Sequence, residues 1–139
     1  MKKSMIIIVA MLLSMGSVWA AEGGGVEAVT LVKSTQSWDG SLLPAYGEGQ
    51  PEVTILKITI PPKTKLPVHE HGEINAGVMI KGELKVVTEA NETLILKAGD
   101  PIVEVVNKWH YGVNEGDEPV EIIVFYAGVE GKAITVKKE

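Results

Sequence analysis

The chain has three histidines, and their placement is the first thing in the sequence that could do chemistry. His69 and His71 stand one residue apart in PVHEHGEINAGVMIKG, residues 67–82. His110 lies in a second stretch, GDPIVEVVNKWHYGVN, residues 99–114. In an extended chain, residues i and i+2 project from the same face. The flanking Val, Ile and Pro residues favour extension, so His69 and His71 are expected to point the same way. Two adjacent imidazoles, with a third delivered from a distant strand, make the ligand set of a three-His site for a divalent transition metal: Fe, Mn, Zn, Ni or Cu.

The two stretches resemble the paired motifs of the cupin superfamily. In the first, G-x5-H-x-H-x3,4-E-x6-G, residues His69, His71 and Gly82 fall in register, while Lys63 replaces the opening Gly and Asn75 the metal-binding Glu. In the second, G-x5-P-x-G-x2-H-x3-N, residues Gly99, His110 and Asn114 match, and Val105 and Asn107 occupy the Pro and inner Gly positions. The resemblance covers under half of the chain. It implies an all-β cupin fold, a jelly-roll-like double-stranded β-helix, with a small-molecule pocket in the barrel. It does not imply one reaction, because the superfamily includes dioxygenases, isomerases, decarboxylases, storage proteins and sugar-binding regulators.

The face shared by His69 and His71 continues to Asn75, Gly77 and Met79 if no bulge intervenes. Asn75 therefore falls where the family places its carboxylate ligand, and a neutral amide oxygen would leave the site one positive charge richer. Glu73 shares the same parity but sits in a turn; it is either the rival fourth ligand or a solvated turn carboxylate. Likewise His110 implies Gly112 and Asn114. Trp109 and Tyr111 have the opposite parity and are expected outside the barrel or on its rim. Met79 reads as pocket wall, and Asn114 as a structural amide tying a strand end.

These residues have to be positioned by strands. Residues 53–60 (VTILKITI) form a clear strand rich in β-branched side chains, stopped by Pro61-Pro62. Further strands are expected at 29–33, 66–71, 74–80, 83–88, 93–96, 101–106, 110–114, 120–127 and 133–136, with turns at Gly72-Glu73, Lys81-Gly82, Gly99-Asp100 and Gly116-Asp117. Residues 38–50 read as a loop, in which Trp38 and Tyr46 either cover one mouth of the barrel or plug the core edge. No stretch beyond residue 20 keeps a helical period, and many short strands with regular turns mean a sandwich or barrel. Several strands are apolar on both faces, which points to a homodimer.

Residues 1–20 have the form of a secretory signal peptide: Lys2 and Lys3, an apolar core, then Val18-Trp19-Ala20. Cleavage there leaves one domain, residues 21–139, in the periplasm or secreted, free of the membrane. The chain is acidic, with a formal charge of −5 that deepens when the two lysines leave, which argues against nucleic-acid binding. It has no Cys, hence no disulfide and no thiol nucleophile, and no G-x-S-x-G elbow for a serine triad. A paired-carboxylate glycosidase stays open, since no carboxylate separation can be read without coordinates. All 13 basic residues are Lys, so a bidentate Arg clamp is absent and a neutral or weakly charged ligand is favoured. Three functions remain: a metal-dependent enzyme, a dioxygenase or an isomerase; a non-catalytic binding module; or a structural dimer with a vestigial site.

Overall fold

The computed structural model describes residues 25–139; the expected signal peptide lies outside the described residues. Leu31–Glu139 make one unit by their internal contacts, and ahead of it residues 25–30 carry no strand. Alternation and β-branching over residues 53–60 give β1 (Pro51–Ile60), the strand that opens the barrel. Then come β2 (Thr64–Lys65), β3 (His69–Glu70), β4 (Asn75–Lys81), β5 (Glu83–Thr88), β6 (Thr93–Lys97), β7 (Pro101–Val103), β8 (His110–Asn114), β9 (Val120–Val129) and β10 (Val136–Lys137). There is no helix among the described residues, and all strand pairs are antiparallel.

The strands form two sheets, β1-β9-β4-β7 and β10-β3-β8-β5-β6, with β2 paired to β8. Their inner faces enclose the core, which holds Ile60, Met79, Leu84, Val86, Val120 and Ile122. The period-2 pattern is kept: Asn75, Gly77 and Met79 are buried along β4, and His110, Gly112 and Asn114 along β8. Gly77 has a packing reason, because a Cβ there would lie 2.7 Å from the Ile123 carbonyl oxygen of the adjacent strand. Asn114 does tie a strand end. Its Nδ2 donates to the carbonyls of Ile60, Pro61 and Glu118 at 2.8–3.1 Å, and its Oδ1 accepts from Gly116 N–H.

Two departures from the family motifs are explained by the backbone. Lys63 and Asn107 replace glycines, yet both adopt the left-handed conformation, with φ of 53° and 55°. Asn tolerates that region better than most residues. At Asn107 the turn aims the backbone N–H at the His71 carbonyl, 2.8 Å away.

Some expected strands differ. Residues 29–33 form none, and Val29, Leu31 and Val32 are exposed; β-propensity without a partner strand makes no ladder. The strand expected at 66–71 is reduced to β3, with β2 lying just ahead of that range, and the strand expected at 101–106 ends at Val103. The outer face of β1, β9 and β4 stays apolar and open: Ile55, 64% exposed, lies across from Phe125, 43% exposed, which pairs in turn with Ala76.

Candidate metal centre

β3 and β8 run antiparallel with His69 directly opposite His110. His71 follows β3 by one residue and keeps its face. The three rings stand 4.5–5.1 Å apart between centroids, and one nitrogen from each lies within 4.8 Å of the others. The residues that the sequence singled out are thus brought together by two short strands.

Each Nδ1 is tied to a backbone carbonyl: His69 to Pro67 and His71 to Ile134 at 2.8 Å, His110 to Lys108 at 2.9 Å. A carbonyl only accepts, so each Nδ1 carries the proton and each Nε2 keeps a bare lone pair. Two of these bonds reach back just two residues and are written into the local chain. That of His71 spans 63 residues and depends on the C-terminal segment, where Thr135 Oγ1 also lies 3.2 Å from the ring. Burial pushes the pKa of all three below the usual histidine value, His71 to about 4. All three are neutral at pH 7, the form that binds metal.

The rings open into a cavity of about 60 Å³, room for a few water-sized groups. Ile58, Leu66, Val86, Val124 and Tyr126 make much of its wall, and the edge of Tyr126 meets the His71 ring at 5.5 Å between centroids. Asn75 also lines it, only 1% exposed. Its Nδ2 donates to the Glu73 carbonyl at 3.2 Å, leaving Oδ1 buried without a donor. His110 Nε2 is likewise buried without a partner. A buried acceptor left unsatisfied costs about 1–3 kcal/mol, and two in one small cavity suit a cation. The donor set of three imidazoles and one amide oxygen fits a divalent transition metal.

Glu73 is neither of the things expected of it. It is buried, pairs with Lys132 Nζ at 3.3 Å and does not line the cavity. Met79 belongs to the core and not to the pocket wall. Trp38 packs against the core, and Tyr46 is exposed, so only the former plugs the barrel edge. Trp109 and Tyr111 stay out of the cavity lining; Lys138 and Lys65 lie over their rings.

Sequence reasoning missed Glu104. It follows β7, lines the cavity, and brings Oε2 to 3.8 Å from His110 Nε2. Burial pushes its pKa up to about 7. Its backbone is fixed on both sides: its N–H donates to the Asn75 carbonyl at 3.0 Å, and its carbonyl accepts from Ser37 Oγ at 2.8 Å. The alternation Ile102-x-Glu104, with Ile102 buried, was the available signal.

Solved structures repeat the fold at low identity. An oxalate oxidase in complex with the substrate analogue glycolate matches with a TM-score of 0.52 and 22% identity, over 61% of this chain and 45% of its own. The salicylate 1,2-dioxygenase of Pseudoaminobacter salicylatoxidans gives 0.50 and 18%, over 54% of this chain and 22% of its own. A cupin-like protein of Thermotoga maritima gives 0.56 and 17%, over 62% and 64%. The chain therefore spans less than two thirds of each of these neighbours, and at such identities the likeness shows the fold. No curated protein matches the sequence. The Cupin domain family model matches residues 56–126, from the middle of β1 to Tyr126. That span is just over half of the chain and takes in all three histidines, Asn75 and Glu104; the chain belongs to the cupin family.

Proposed function

We propose that the protein binds one divalent transition metal (Fe, Mn, Zn, Ni or Cu) on His69, His71 and His110, beside Asn75, and acts there on a small molecule, with dioxygenase chemistry the leading class. The observation that carries the reading is the trio of Nε2 lone pairs, each fixed by a carbonyl on the far nitrogen. Bound there, such an ion would supply Lewis acidity or redox capacity. The chain's own residues do the rest. The apolar wall excludes water, and Asn75, Glu104 and Tyr126 offer the polar contacts. No Lys lines the cavity and the chain has no Arg, so a bound ion would be the main positive charge facing a ligand. That supports a small, oxygen-bearing ligand. Fold neighbours named for oxalate and salicylate chemistry lend support of the same kind.

Metal analysis after native purification tests this reading, expecting about one ion per chain. Oxygen uptake is then measured against small hydroxylated and carboxylated compounds. Metal without turnover on any of them would favour a non-catalytic binding module, and absence of every ion a vestigial site.

Export and assembly belong to the same proposal. The charged start, apolar core and Val18-Trp19-Ala20 support removal of residues 1–20 and a periplasmic or secreted protein. The apolar outer face of β1 and β9 supports a homodimer. Light scattering at micromolar concentration is expected to give twice the chain mass, and Phe125→Lys to halve it. A monomeric wild type would sink the dimer.

A further inference from the structure

The family's carboxylate position is filled here by Asn75, which leaves the site without the anion that its first motif supplies. The structure points to where the anion went. Ala76 pairs with Val103 across β4 and β7, so the next pair in register is Asn75 and Glu104. The Glu104 N–H to Asn75 carbonyl bond of 3.0 Å continues that pairing past the end of β7. Both side chains reach the same cavity. Glu104 Oε2 stands 3.8 Å from His110 Nε2 and accepts from the Val105 N–H at 3.2 Å, with the Trp38 indole also beside the carboxyl group. A buried carboxylate needs a counter-charge. Among the described residues no Lys forms an ion pair with it; the ion-pair geometry it makes is with the His110 ring.

We infer that Glu104 supplies the carboxylate of the metal centre, moved one strand across the sheet from the position Asn75 occupies. The inference rests on the metal-binding reading above and adds to it a ligand set of three His and one carboxylate. The net charge of a divalent site falls by one, and its preference shifts toward harder ions such as Mn2+. Asn75 becomes the neutral neighbour of that carboxylate.

The test compares Mn2+ and Zn2+ binding to metal-stripped wild type, Glu104→Gln and the double variant Asn75→Glu/Glu104→Gln. Calorimetry and the Mn2+ electron paramagnetic resonance signal give the readout. Glu104→Gln is expected to raise the Mn2+ Kd by at least about tenfold and the Zn2+ Kd by less. The double variant, which returns the carboxylate to the opposite strand, is expected to recover most of the lost Mn2+ affinity. Thermal melting of each metal-free variant checks that it folds, and Gln keeps the volume of Glu. Equal Mn2+ affinity in wild type and Glu104→Gln would overturn this inference alone. So would a double variant no tighter than Glu104→Gln. A wild type that binds neither Mn2+ nor Zn2+ would overturn this inference, and one that binds none of Fe, Mn, Zn, Ni or Cu would overturn the underlying reading with it.

Discussion

His110→Ala is expected to strip the protein of nearly all bound metal and to remove the thermal stabilisation that metal gives. Two imidazoles remain, and the ring that lies opposite His69 in register is gone. A ligand at a hundred times its Kd stabilises the native state by about 2.7 kcal/mol. For a domain of this size that is a Tm difference of roughly 10 °C, which the variant should lose. The metal-free forms are the control. There the substitution deletes a buried ring but also a buried acceptor with no partner, so the difference between wild type and variant should be smaller than with metal. His69→Ala and His71→Ala should behave alike. Full metal occupancy in His110→Ala would remove that residue from the ligand set.

Metal-free Glu104→Gln is expected to be more stable than metal-free wild type at pH 8, and about equal to it at pH 4.5. The Glu104 carboxyl titrates near 7 when folded, against 4.5 for the unfolded chain. Between those values the folded state holds a proton that the unfolded chain has released. Its favourable contribution is therefore whole below pH 4.5 and lost as the pH rises through 7. A shift of that size corresponds to about 3 kcal/mol. The histidines run the other way. His71 titrates near 4 when folded and 6.5 when not, so its contribution is whole above 6.5 and lost as the pH falls toward 4; His69 and His110 add to that trend. Wild type feels both trends, and the variant only the second. Urea midpoints with chelator at pH 4.5 and 8 measure the difference. A gap that does not widen with pH would mean that Glu104 titrates as an ordinary exposed carboxylate. With metal bound the order at pH 8 should invert, because the buried carboxylate then faces a cation.

The fold could be read from the sequence because its signals are local. β-branched alternation marked β1, turn pairs marked the strand ends, and β8 falls on the expected residues 110–114. Side-chain parity carried the inner face from His71 through Asn75 to Met79. What stayed hidden was pairing. Glu104 reaches the cavity because β4 and β7 are neighbours in one register, and nothing within residues 101–106 states which strand lies beside them. Glu73 was misread for the same reason. Its partner, Lys132, comes from a C-terminal stretch that had no visible link to the turn at Gly72. Trp38 shows a third kind of limit: its loop is held by a backbone bond to Val103, and loop sequence says little about such anchors.

The carbonyl that orients His71 belongs to Ile134, 63 residues downstream. Beside it, β10 pairs with β3 through the two residues 136 and 137. During synthesis the other two rings can find their acceptors as soon as their own segments emerge, since those lie two residues back. His71 needs a segment 63 residues further along the chain to be in place. A chain lacking residues 134–137 is expected to leave the His71 imidazole without its orienting acceptor. The orientation of one imidazole is thus coupled to the docking of residues 134–137 against β3.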